Sequence, residues 1–287
     1  MSPAIASSTQ SYNHRVGRRR LMQLGCAFVA AIALAGPVSA QDAGRMNAPY
    51  DALLARYVLP QPDGVNRVDY AKWKATAGDV KALKDYISAM AGAAPSKLSR
   101  NEAFAYWANL YNAITLQVVI ERYPVKSIRD IKSDGLFDPK AYLGPWRTKR
   151  VTVEGKKLSL DDIEHEIMRP TFKDPRVHYS VNCASFGCPN LPAKAWNAAS
   201  LDADLDTAAR DFVNHSRGVA VLPGNKLRVS SIYKWFREDF GADDAAVIAH
   251  FKKYAKPELA QQLAKVTTVS EDQYDWALNG IAGKKGS

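Results

Sequence analysis

The stretch Val177-His178-Tyr179-Ser180-Val181-Asn182-Cys183-Ala184-Ser185-Phe186-Gly187-Cys188-Pro189 gathers an imidazole, two thiols, hydroxyls and an amide within thirteen residues. Arg176 to Asn182, following Asp174-Pro175, reads as a strand. Its alternation puts His178, Ser180 and Asn182 on one face and turns Val177, Tyr179 and Val181 toward the core. A cysteine at such a strand end, facing amide N–H groups, would have a lowered pKa. The thiolate is the reactive form, and a neighbouring histidine can activate it. A strand that stayed regular through Cys183 would point His178 and Cys183 to opposite sides. The pair therefore needs a bend at Asn182 or Cys183, for which the small residues and Gly187 leave room.

Four chemistries compete for this segment. Cys183 and Cys188 can close a small disulfide loop, which contributes roughly 2 kcal/mol by chain entropy. Alternatively, Cys183 attacks an acyl or amide carbon and His178 takes its proton. Asn112 or Asn182 would then orient the imidazole or bind the oxyanion, with Glu102 as a further candidate orienter. A third reading cycles the two cysteines as a redox pair, although C-x4-C is not the C-x-x-C of thioredoxin-like proteins. Metal binding by His178, Cys183 and Cys188 lacks a fourth ligand at tight spacing, so no metal and no cofactor are expected.

The element best placed to support this segment is a helix from Asn101 to Arg122. A Ser99/Glu102 capping box opens it and Pro124 stops it. Its apolar residues cover more than one face, the pattern of an interior helix. Asn109 and Asn112 interrupt that pattern three residues apart, and Glu102, Tyr106 and Asn109 recur on roughly one side. Buried amides without partners destabilise by about 1–3 kcal/mol each. They are therefore either pins for neighbouring loops or the polar wall of a site.

Other elements follow from periodicity and turn residues. Helices are expected at Tyr50–Tyr57, around Val80–Met90, and over 161–168, 200–215, 231–240, 243–254 and 257–265. Hairpins are expected over 146–160 and 219–229, and a last strand at 266–270. Ile128 to Asp138 reads as irregular. His165, between Glu164 and Glu166, reads as part of an exposed helix face. The six tryptophans (Trp73, Trp107, Trp146, Trp196, Trp235 and Trp276) read as core packing. No composition break, linker or internal repeat divides residues 45–280. The fold class is α+β in a single domain over 41–287: helix-rich, with a small, mostly antiparallel sheet and a central buried helix.

The chain has 287 residues and a formal net charge of +10. Residues 1–40 read as an export signal. They comprise a basic region with Arg15, Arg18, Arg19 and Arg20, an apolar run from Leu21 to Ala35, and Val38-Ser39-Ala40 as a small-residue cleavage site. The Arg18–Gln23 run resembles a twin-arginine signal; an ordinary Sec signal with a basic start is the alternative. Cys26 opens the apolar run, the wrong place for a lipoprotein cysteine. Loss of this segment lowers the positive excess by its four arginines. The rest is scattered, which excludes a nucleic-acid-binding block. The expectation is a periplasmic or secreted protein with no stable membrane anchor, acting on a small molecule or peptide.

Asn109-Leu110-Tyr111-Asn112, then His178 with Asn182-Cys183, then Cys188-Pro189, resemble the domain-of-unknown-function family 547 from about Arg100 to Val213. The matching residues are Asn109, Tyr111, Asn112, His178, Asn182, Cys183, Cys188 and Pro189, in the family's order. The resemblance implies an exported bacterial protein of a family with no established activity. Glutaredoxin-like modules accompany some eukaryotic members, an association that leans toward thiol chemistry. Cys183, His178, Asn112, Asn182 and Glu102 are the candidate catalytic residues. Asn109, Tyr111, Tyr106, Ser180 and Cys188 are the candidate binding or structural ones.

Overall fold

The helix Arg100–Arg122 is the element on which the others are laid. Ser99 starts it as expected: its backbone N–H and its hydroxyl both donate to Glu102, at 2.9 and 2.6 Å. The helix is then buried without interruption from Phe104 to Leu116. The computed structural model describes residues 40–132 and 144–281, with side chains from Met46 onward. The expected export signal with Cys26, and residues 133–138 of the expected irregular stretch, lie outside the described residues. Among the described residues, no helix is long and apolar enough to cross a membrane.

Two groups of buried residues flank the site. The first surrounds the central helix with Ala40–Tyr57, Tyr70–Ala75 and Ala77–Ala91. Aromatic pairs fasten these, Tyr50 on Tyr86 and Tyr57 on Trp73, each with centroids 4.5 Å apart. The hairpin Val151–Val153/Lys156–Leu158 covers the same core with Val151, Val153 and Leu158. The second group is built by helix Leu201–Val213, helices Asp244–Tyr254 and Pro257–Leu263, and a three-stranded sheet. In that sheet Val219–Leu222 pairs antiparallel with Lys226–Ser230, which pairs in parallel with Glu271–Gln273. A short antiparallel pair, Val58–Leu59 with Arg67–Val68, makes a third small sheet. The fold is thus helix-rich α+β around a central buried helix, with the expected sheet split into three pieces.

Several elements differ from the sequence reading. Arg176–Asn182 is not a strand: Val177–Ser180 is a short helix and only Val181 is extended. Asp174 and Pro175 cause this. The Asp174 carboxylate accepts the Arg176 N–H at 2.8 Å, the Asp174 and Pro175 carbonyls accept the next two N–H groups, and proline is pre-shaped for a first helical turn. The last strand lies at Glu271–Gln273, not 266–270; pairing begins only at Ser270, whose N–H donates to the Leu227 carbonyl. The helix expected over 231–240 is two short ones, Ile232–Trp235 and Arg237–Phe240. The helix expected over 161–168 is a π-helix, Asp162–Met168.

The two central asparagines act as pegs for chain that has no regular structure of its own. Asn109 Nδ2 donates to the Trp196 carbonyl at 2.9 Å, and its Oδ1 accepts the Trp196 N–H at 2.8 Å. Asn112 Nδ2 donates to the Ser180 carbonyl at 2.9 Å, and its Oδ1 accepts the Asn182 N–H at 2.8 Å. Asn109→Leu orphans the Trp196 N–H in the interior and leaves its carbonyl only the long 3.4 Å bond from Asn47 Nδ2. It should lower unfolding free energy by roughly 2–4 kcal/mol in urea titrations, whereas the exposed Lys81→Leu should change it by less than about 0.5 kcal/mol.

Candidate functional site

The segment after Val181 returns as a tight loop because Asn182 holds both of its ends. Asn182 Oδ1 accepts the Ala184 N–H at 2.8 Å, and its Nδ2 donates to the Pro189 carbonyl at 2.7 Å. Ala184 is left-handed, with φ of 59°. The C-terminal strap then lies across the loop: the Phe186 and Gly187 N–H groups donate to the Ala277 and Asp275 carbonyls at 2.7 and 2.8 Å. A Cβ on Gly187 would sit 2.8 Å from the Asp275 nitrogen, so only glycine admits this approach. Cys183 and Cys188 are joined by a disulfide across the loop. The strap places Tyr274 on it, with the phenol oxygen 2.9 Å from Cys183 Sγ, 3.1 Å from Cys188 Sγ and 2.7 Å from Ser185 Oγ.

The disulfide forms part of the wall of a cavity of about 450 Å³. Trp146, Trp235, Tyr274 and Trp276 make an aromatic wall. Trp235 and Trp276 stack at 5.7 Å, Trp276 lies 4.6 Å from Tyr274, and the Arg129 guanidinium sits 5.2 Å over Trp276. Asp161, Glu164, His165, Tyr111 and His178 supply the polar side. Both ring nitrogens of His178 face carboxylates: Nε2 is 2.7 Å from Asp239, and Nδ1 is 3.6 Å from Glu164. The ring also stacks on Phe236 at 4.3 Å. Arg169 holds Asp239 from the other side at 2.5 Å. Burial opposes charge on His178, but the bonds to Asp239 and Glu164 outweigh it and lift its pKa above the ordinary value. Burial likewise works against charge on Asp239 and Glu164. The bond to His178 prevails in both, with Arg169 helping at Asp239, and Asp239 is held at about 2. Asp161 moves upward, chiefly through burial. Each shift favours the ionised form, carboxylate at Glu164 and Asp239 and imidazolium at His178.

The sequence-predicted residues divide into three places. Cys183, Cys188, His178 and Tyr111 line the cavity, and the Tyr111 hydroxyl bonds Glu164. Asn112, Asn182 and Ser180 stand behind it as supports; the Ser180 hydroxyl donates to the Val177 carbonyl at 2.7 Å. Glu102, Tyr106 and Asn109 border a separate, smaller cavity beside Trp196. Glu102 bonds Ser99 and Tyr106 donates to the Met90 carbonyl at 2.7 Å, so neither orients His178. Asn112 bonds backbone, not the imidazole. With the strand replaced by a helix, His178, Ser180 and Asn182 share no face, and each is buried in its own setting.

Sequence reasoning missed Asp161, Glu164, His165, Asp239, Tyr274 and three tryptophans. Glu164 is 8% exposed, not part of a solvated helix face, because the π-turn rotates it inward against His178. π-Turns of this kind concentrate at functional sites. The Nδ1 of His165 is buried and meets no hydrogen-bond partner among the described residues. Trp235 is 44% exposed, and Trp146, Trp235 and Trp276 line the pocket, with Trp146 and Trp276 also packed against the first core group. The Asp239 and Tyr274 signals lie sixty and ninety residues from the cysteine segment, with no pattern to join them.

The fold and site define a helix-rich α+β protein with a pocket walled by aromatics, a buried ion cluster and a disulfide. Residues 95–213 match the family model described as "Protein of unknown function, DUF547". The matched span holds the central helix, the π-helix and the disulfide loop; Trp235, Asp239, Tyr274 and Trp276 come from beyond it. No curated protein and no solved structure matches the chain.

The raised pKa of His178 has a definite sign. A group whose folded pKa exceeds its unfolded value adds stability below the unfolded value, near 6.5, and loses it as pH rises through the folded one. Nitrogen-15 NMR of the imidazole at pH 7 should find both nitrogens protonated. The melting temperature should decline from pH 6.5 upward more steeply in the native protein than in His178→Gln; a neutral ring at pH 7 would contradict the assignment.

Proposed function

We propose that the protein is a binding module that takes a small, largely apolar ligand with one polar end into the aromatic pocket. The observation that carries this reading is the convergence of Trp146, Trp235, Tyr274 and Trp276 on one cavity of about 450 Å³, within the size range of small-molecule sites. Flat faces there suit an aromatic or alicyclic body. The Asp161–Glu164–His165 side suits a polar end group. The disulfide is then part of the wall.

The reading of Cys183 as a free nucleophile with His178 as its base has less support. Its sulfur is bonded to Cys188, and both nitrogens of the imidazole are engaged by carboxylates. Export belongs to the same proposal. It is supported by the basic, apolar and small-residue order of residues 1–40. Protein produced from the full chain and recovered from the periplasm should begin at Gln41 by mass; an intact Met1 in that fraction would contradict export with cleavage.

The uncharged fluorophore N-phenyl-1-naphthylamine is a suitable probe. It should bind with 1:1 saturation and quench tryptophan emission. Trp276→Ala should weaken that binding about tenfold, the loss of one aromatic contact and its buried area. Non-saturable binding, or a Trp276→Ala variant with unchanged affinity, would sink the assignment.

A further inference from the structure

We propose that Cys183–Cys188 is an exchange-active disulfide, opened by a small apolar thiol that enters through the aromatic pocket, with Cys183 the sulfur attacked and Cys188 the leaving group. This deepens the pocket reading and rests on it, since the thiol is the ligand class named.

Three observations select the roles. First, both cysteines border the cavity, but Cys183 is partly exposed whereas Cys188 is 5% exposed, so an incoming sulfur reaches Cys183 first. Second, Cys188 alone of the two sulfurs has a fixed backbone donor, whereas Cys183 Sγ meets only rotatable hydroxyls, Tyr274 at 2.9 Å and Ser185 at 3.2 Å. The Cys183 backbone N–H donates to Cys188 Sγ at 3.0 Å and the Tyr274 hydroxyl at 3.1 Å. A leaving thiolate that already accepts a fixed backbone N–H is stabilised with no rearrangement of the donor. Third, the loop is held independently of the sulfur bond. Asn182 ties Ala184 to Pro189, and Phe186 and Gly187 are bonded to the C-terminal strap. The dithiol form therefore keeps the pocket.

In the first step the thiolate R–S⁻ forms a bond to Cys183 Sγ. The Cys183–Cys188 bond breaks, and its electron pair leaves on Cys188 Sγ. In the second, another R–S⁻ attacks the R-bearing sulfur of the mixed disulfide, forming R–S–S–R and releasing the Cys183 thiolate. The two protons given up by the thiols end on the two cysteines. Two thiols are oxidised by two electrons in all, and the protein disulfide is reduced by two. Ser185 Oγ, 3.2 Å from Cys183 Sγ and 2.7 Å from the Tyr274 oxygen, is placed to return the proton to Cys183.

The test exposes the native full chain to benzyl mercaptan and to 2-mercaptoethanol, which are similar in basicity and differ in their apolar body. The reaction is quenched with acid and adducts are mapped by mass spectrometry. Benzyl mercaptan should open the disulfide about tenfold faster, one aromatic contact's worth, with the transient adduct on Cys183. Trp276→Ala should abolish the preference. Tyr274→Phe should slow both thiols about tenfold by removing a hydrogen bond to the forming thiolate, with circular dichroism unchanged. Resistance of the bond to both thiols until urea is added, equal rates for the two, or an adduct on Cys188 would each overturn the proposal. If N-phenyl-1-naphthylamine still bound in that event, the exchange activity alone would fail; if it did not, the pocket reading would fail with it.

Discussion

Two amide side chains carried inward by one apolar helix are what the rest of this structure depends on. A buried backbone group must find a partner, and chain outside helices and sheets finds none by itself. Asn109 supplies both partners for Trp196, and Asn112 supplies them for Ser180 and Asn182. The Trp196 indole adds a second donor to the Ser180 carbonyl, at 3.0 Å, which closes the two pegs into one network. Asn182 then repeats the device one level out, holding Ala184 and Pro189, and itself receives Asn279 Nδ2 at 3.2 Å. A shared network of this kind is worth more than its separate bonds, and it is correspondingly intolerant of losing one. The disulfide loop reaches the pocket only because this relay runs from the helix axis outward.

The electrostatic counterpart is the Glu164–His178–Asp239 cluster, which ties the π-helix to the second core group. Removing these charges from water is expensive, and their mutual attraction offsets that only where every lone pair is used. Here each carboxylate has a further partner: Tyr111 serves Glu164, and Arg169 serves Asp239 and also Glu238. Such a cluster contributes little net stability, and its consequence is geometric. It fixes Phe236 against the imidazole and so sets the position of neighbouring Trp235 in the aromatic wall. A histidine whose protonated form is favoured by two flanking carboxylates serves to position its neighbours and is a poor proton acceptor.

How much of this was legible in the sequence depended on whether the signal was local. The central helix, its Ser99/Glu102 cap and its two anomalous asparagines were all visible, because a polar residue in an all-round apolar helix has few alternatives. The Val-His-Tyr-Ser-Val alternation misled because short alternation also fits one helical turn; Asp174-Pro175 was the deciding signal, as an Asx turn leading into a proline-started helix. Glu164 was misplaced because a 3.6-residue period was assumed where the backbone makes a π-turn, which moves each later side chain around the axis. Asp239, Tyr274 and Trp276 were not legible at all. Tyr274 and Trp276 reach the site through pairing of the C-terminal strap with the cysteine loop, nearly ninety residues apart in sequence, and Asp239 through its ion pairs with His178 and Arg169.

The disulfide itself is better explained by where it sits than by what it stabilises. A loop with only four residues between its cysteines contributes about 2 kcal/mol through chain entropy, and less where the unlinked loop is already ordered. This loop is ordered by Asn182, by the strap, and by Gly187 packed against Asp275. A staple there duplicates constraints already present. What the sulfurs add that hydrogen bonds cannot is a polarisable, thiol-reactive wall to a cavity otherwise built from aromatic rings. The Tyr274 and Ser185 hydroxyls and the Cys183 amide supply, at those same two atoms, the donors that a forming thiolate would need.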